Sequence, residues 1–183
     1  MSGPRALLDT TVFCGALVKS DGYNMRLLEL GSTPLYRPII IQSVIAEFIH
    51  KAVTDGIGKG SRKRHYTSEE IQVFLMKFGD ILDPREAEDI GATYNYVSTF
   101  PANTPLWVVL SKLADAWPVN SDISKKLNRP IRETDLGDIH IALGVLKCCP
   151  DVLVTSNIKD LAYLNSFCQV MKPSEFLQYI DAL

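Results

Sequence analysis

Short apolar runs alternate with amphipathic segments at both ends of this chain, and that alternation constrains the fold more than any other feature. Ala6, Leu7 and Leu8 form one run, residues 38 to 41 a second, VLVT at 152 to 155 a third, and residues 167 to 171 a fourth. Helical patterns separate them. Residues 12 to 19 read as a short helix. Residues 23 to 30 read as another, stopped by Gly31 and kept from extending by Pro34. Ser43 is placed to cap a helix reaching about residue 53, with Val44, Ile45, Phe48, Ile49 and Ala52 on its apolar face. Near the end, residues 138 to 147 and 158 to 164 read as helices, and Ser174, after Pro173, is placed to cap a terminal one. Strands alternating with helices predict an α/β fold, its central sheet mostly parallel and flanked by helices.

The middle reads differently. Residues 54 to 66 form a predicted loop carrying Gly56, Gly58 and Gly60, then the basic stretch SRKRH at 61 to 65. Thr67 and Glu70 suit a capping box for a helix ending near Leu82. Pro84 suits the first turn of a helix reaching about Ser98. Residues 104 to 117 fit a helix, or a strand at 107 to 110. Residues 54 to 125 are thus a helical insertion or cap within one domain of 183 residues.

A net charge of −2 gives no global basic field, so nucleic-acid binding would need a local patch. The cysteines Cys14, Cys148, Cys149 and Cys168 have neither C-x-x-C nor zinc spacing, which points to reduced thiols. With no signal-peptide pattern and no run of about 18 apolar residues, the expectation is a cytoplasmic protein without a membrane segment.

Ligands of parallel α/β sheets bind beyond the carboxyl ends of the strands. Asp9 ends the first strand. Glu47 stands in the second turn of the helix after the second strand. Asp138 opens a helix, and Asn157 and Asp160 follow the strand 152 to 155. Each acid has a plainer reading: Asp9 as a helix cap, Asp138 as a first-turn acid against the helix dipole, Asp160 as a solvated charge. Glu47, among apolar neighbours, fits solvation least. Four carboxylates with no basic neighbour expected at one sheet edge call for a divalent cation, and oxygen-only ligands suit Mg²⁺ or Mn²⁺ rather than Zn²⁺. Thr10 or Thr11 can support Asp9 by hydrogen bonding. Phosphates would be met by Arg62, Lys63, Arg64 and His65, or by Lys125, Lys126, Arg129 and Arg132, although such charge runs also serve as solvated faces. His50, His65 and His140 share no ligand spacing.

LLDTTVF (7 to 13), MRLLEL (25 to 30), SVIAEFI (43 to 49), DIHIALGVLKCCPDVLVTSNIKDL (138 to 161) and VMKPSEFL (170 to 177) together resemble, in order and spacing, the PIN-domain family, which includes prokaryotic VapC-type toxin ribonucleases. The resemblance covers residues 5 to 53 and 135 to 180. It implies a PIN-like three-layer fold and Mg²⁺- or Mn²⁺-dependent hydrolysis of single-stranded RNA. Asp9, Glu47 and Asp138 match the family's principal acids. Asp160 takes the fourth part, with Asn157 standing where many relatives carry Asp. Thr11 and Thr155 match hydroxyls that hold the acids. An antitoxin protein and a homodimer are the partners implied. The alternative is an inactive PIN-like nucleic-acid-binding or protein-interaction module, which Asn157 favours and the retained acids oppose. A haloacid-dehalogenase-type phosphotransferase is disfavoured by Thr11 where D-x-D needs a second Asp. A Rossmann nucleotide site is disfavoured by the lack of G-x-G-x-x-G after the first strand.

Overall fold

The computed structural model describes residues 3–58, 60–81, 97, 99–101, 104–111 and 121–183. Four strands form one all-parallel sheet: β1 (Arg5–Leu8), β2 (Arg37–Ile39), β3 (Val152–Val154) and β4 (Gln169–Met171), in the order β2-β1-β3-β4. The α/β expectation therefore holds, with helices flanking the sheet. Register is fixed by Ala6 against Pro38 on one side and Val152 on the other. Pro38 has no amide hydrogen, and its edge strand tolerates that. β1 and β3 have buried side chains from Ala6 to Leu8 and from Val152 to Val154. Continuous apolar runs, rather than alternating ones, are what a sheet covered on both faces requires.

Two helices, α1 (Thr10–Val18) and α2 (Tyr23–Leu30), link β1 to β2, and they pack on each other. The chain then enters α3 (Gln42–His50), whose residues from Ser43 to His50 are all buried. Here the expected cap is wrong. Ile41 is the residue before the helix, and the Ser43 hydroxyl instead lies 3.0 Å from Nδ1 of His140. The helix also ends earlier than its apolar face suggested, passing into a π turn at Lys51–Asp55. α4 (Ser68–Met76) carries the expected Thr67–Glu70 capping box. A 3₁₀ turn at Gly79–Ile81 follows. α5 (Leu106–Ser111) settles the ambiguity at 106 to 111 as helix, and α6 is Ser121–Leu127. The helix expected from Pro84 to about Ser98 and the stretch 112 to 117 lie almost wholly outside the described residues.

α7 (Ile139–Cys148) returns the chain to the sheet. It lies close on β1 because Gly144 has no side chain: a Cβ there would sit 2.7 Å from Ile41 Cδ1 and 3.1 Å from Leu7 Cδ1. The short α8 (Ile158–Leu161) and a 3₁₀ turn at Ala162–Ser166 connect β3 to β4. α9 (Pro173–Asp181) ends the described chain, and Pro173, not Ser174, opens it. Pro suits that position because the first helical amide has no partner to lose. All four cysteines are free thiols. No helix among the described residues is long and apolar enough to cross a membrane.

The strand order matters for function. From β1 the chain steps to β2 on one side; from β3 it steps to β4 on the other. The connections diverge between β1 and β3, and the crevice beyond their carboxyl ends is where such sheets take ligands. Gly144→Val should push α7 off β1 and cost about 1–3 kcal/mol of stability. Urea unfolding checks this, and an unchanged midpoint would contradict the close packing.

Candidate acid site at the carboxyl edge of the sheet

Asp9 follows β1 directly, its amide donating to Val154 O at 3.0 Å and so continuing the pairing of β1 with β3 by one residue. It occupies the N-cap position of α1, yet its side chain caps nothing. Instead one oxygen, Oδ2, accepts from the hydroxyls of Thr11 and Thr155, each at 2.7 Å. Both hydroxyls are themselves fixed. Ser156 N donates to Thr11 Oγ1 at 2.9 Å, and Asn157 N donates to Thr155 Oγ1 at 2.8 Å. Two backbone amides thus polarise two hydroxyls onto one carboxylate oxygen, a cooperative arrangement. The support expected from Thr11 and Thr155 is present.

Asp9 is only 4% exposed. Burial and the nearby Glu47 charge push its carboxyl above the ordinary range, against the pull of the two hydroxyls. Asp138, at the N-cap position of α7, likewise makes no cap bond. Burial first, then the charges of Asp9 and Glu47, push it up to about 6. Asn157 Nδ2 donates to its Oδ2 at 3.3 Å.

Glu47 behaves in the opposite way. Burial again favours its neutral form, but His140 and Lys51 outweigh that and hold its carboxyl down at about 2. Lys51 Nζ lies 2.6 Å from Oε1, one helical turn away. His140 Nε2 lies 3.1 Å from Oε2, close but off the hydrogen-bond axis. The Thr10 hydroxyl also donates to Oε2. Sequence reading counted Glu47 among acids without a basic neighbour, and that is corrected here. Lys51 was visible four residues on, the spacing of a helical ion pair. His140 left no spacing signal, because its partner comes from another helix.

Asp160 is exposed in α8 and does not join buried Asp9 and Glu47 or half-buried Asp138. It shares with Asp138 a cleft of about 510 Å³, lined also by Arg129, Arg132, Lys159 and Tyr163. Arg129 pairs with Asp135 at 2.7 Å and lies 4.1 Å over the Tyr163 ring. Of the other basic residues, Arg64 is paired with Glu70 and lies 4.6 Å over the Tyr66 ring, so its charge is committed away from the acids. Lys63 is exposed, and Arg62 belongs to a 3₁₀ turn at Gly60–Arg62.

Among the described residues, no three His, Cys, Asp or Glu side chains already converge as ligands for an ion. The donor chemistry nevertheless divides cleanly. Asp9 and Asp138 offer hard oxygens whose charge is poorly compensated, with the Asn157 amide beside them, and these fit one Mg²⁺ or Mn²⁺ ion. Glu47 is the least available of the three, with Lys51 on Oε1 and with Thr10 and His140 at Oε2. No family model matches the chain, and neither curated proteins nor solved structures include a significant match to it. The class that the fold itself defines is an α/β protein with a four-stranded parallel sheet and an acid pair at its point of divergence.

Folded Asp138 takes up its proton near pH 6, well above its ordinary value of 3.8. The folded chain therefore binds more protons than the unfolded chain between those values, and stability falls as pH rises through that window. Glu47 acts in the reverse sense, its contribution fading only as pH drops toward about 2. In EDTA, Asp138→Asn should raise the melting temperature relative to wild type at pH 7.5, and the gain should shrink toward pH 4.5. A pH-independent difference between the two melting curves would contradict this.

Proposed function

We propose that the protein is a divalent-metal-dependent nuclease of PIN-like type, hydrolysing phosphodiester bonds in single-stranded RNA. One observation carries the reading. Two carboxylates, Asp9 and Asp138, are held partly desolvated at the sheet's point of divergence, and each is raised first by burial and then by the charge of neighbouring carboxylates. A fold retains such a pair at a cost to stability, and a bound cation would remove that cost. The RNA preference and the toxin-like role come from the resemblance of the motifs.

Asp9 and Asp138 would hold the ion. A bound Mg²⁺ or Mn²⁺ supplies Lewis-acid polarisation of the phosphodiester and of an attacking water. Thr11 and Thr155 keep Asp9 Oδ2 in place, which leaves its second oxygen to face the ion. Asn157 orients Asp138 through its amide nitrogen and retains its carbonyl oxygen as a neutral donor. Glu47, held by Lys51 and Thr10 with His140 beside it, is already compensated within the protein. Arg132 and Lys159, lining the cleft beside Asp138, are placed to meet a neighbouring phosphate. Asp160, at the same cleft, is placed to orient water rather than to bind the first ion.

A second reading, an inactive module on the same fold, draws on the Lys51 ammonium already paired with Glu47. The two separate in one assay. Wild type should cut a labelled single-stranded RNA pool with Mn²⁺ or Mg²⁺, EDTA should stop it, and folded Asp9→Asn should lose about 100-fold or more. Cutting that survives in Asp9→Asn would remove the acid pair from the reaction. No cutting by wild type, with RNA still bound, would favour the inactive module.

A further inference from the structure

We propose that Lys51 is a resident cation of the acid pocket, supplying there the positive charge that a second divalent ion would otherwise supply, so that the site takes one ion and not two. This rests on the metal-dependent reading above and specifies how many ions it uses.

The geometry leads there through Glu47. Its Oε1 is 2.6 Å from Lys51 Nζ, and its Oε2 faces His140 and the Thr10 hydroxyl. The Glu47 side chain is 5% exposed, so water cannot easily replace these partners. Lys51 itself is 36% exposed, so what resists its replacement is the 2.6 Å contact with a buried carboxylate, not burial of its own ammonium. Lys51 is also placed securely. It is the first residue of the π turn at Lys51–Asp55, at the end of a helix whose residues from Ser43 to His50 are all buried. Beyond Glu47, its charge is felt by Asp9, Asp138 and the thiol of Cys14.

Charge balance makes the same point. The pocket holds the carboxylates of Asp9, Glu47 and Asp138. The Lys51 ammonium offsets one of them, which leaves two negative charges, the charge of one divalent ion. A second divalent ion would leave the pocket with an excess of two positive charges, and protonated His140 would add another. Excess charge of either sign in a desolvated pocket is costly. Lys51 is a positioning residue in this scheme: it touches Glu47, not the reacting atoms.

The experiment counts Mn²⁺ ions bound to the whole chain by electron paramagnetic resonance at pH 7.5, for wild type, Lys51→Met and Lys51→Arg. Wild type should bind one ion per chain. Lys51→Met should bind a second because Glu47 Oε1 is freed, and a single ion bound more tightly would overturn the proposal. Lys51→Arg should keep the wild-type count. Two ions in wild type would overturn the proposal and leave the metal-dependent function standing. Unchanged number and affinity in folded Lys51→Met would do the same. No ion in any of the three would overturn both. If Lys51→Met fails to fold, the wild-type count still decides between one ion and two.

Discussion

A carboxylate buried at the end of the central strand has to be held, and most of the carboxyl edge of this sheet is arranged around holding Asp9. The residue after β1 cannot leave the sheet freely, because its amide still pairs with Val154 O. Its side chain cannot reach solvent, and it caps no helix. It is secured by Thr11 from α1 and Thr155 after β3, each hydroxyl fixed by a backbone amide from residues 156 and 157. Two of these contacts, Thr155 to Asp9 and Ser156 N to Thr11, tie the start of α1 to the end of β3. The crevice where the strand connections diverge is therefore rigid at its base, as a site that must present charge at fixed positions needs to be.

The three acids, two buried and Asp138 half-buried, share one region but not one electrostatic state. Glu47 is fully committed, through Lys51, His140 and Thr10, and remains charged under all ordinary conditions. Asp9 and Asp138 carry the residual stress, and Asp138 titrates close to neutrality. That division separates an acid already compensated within the protein from the acids that can accept a ligand. It also restrains the simple count of carboxylates as a guide to metal number, since one of the four, Asp160, is exposed and another is already neutralised within the protein.

Much of this was legible in the residues. The apolar runs at 6 to 8 and 152 to 155 are the inner strands, and their unbroken apolar character anticipated a sheet covered on both faces. Asp9, Glu47 and Asp138 were legible as a group because strand ends and the helix after β2 fall on one edge. What escaped was pairing between distant segments. Ser43 looked like a cap, since hydroxyls before an apolar helical run usually are; it is drawn instead to His140 on α7. His140 showed no ligand spacing with the other histidines, and nothing local points to its partner on a helix nearly a hundred residues earlier. Lys51 is the instructive miss. Its spacing from Glu47 is the ordinary helical one, but on an exposed helix that pair is a minor surface contact. Only burial of Glu47 turns it into a determinant of the site.

The division between committed and uncompensated acids is tested most directly by following the carboxyl carbons of Asp9, Glu47 and Asp138 by ¹³C NMR through a pH titration, with and without Mg²⁺. Without the ion, Asp138 should titrate near pH 6 and Glu47 near pH 2. Mg²⁺ should move Asp138 and Asp9 to markedly lower pH and leave Glu47 where it was. Titrations that ignore Mg²⁺, or a Glu47 that shifts while Asp138 does not, would contradict the account.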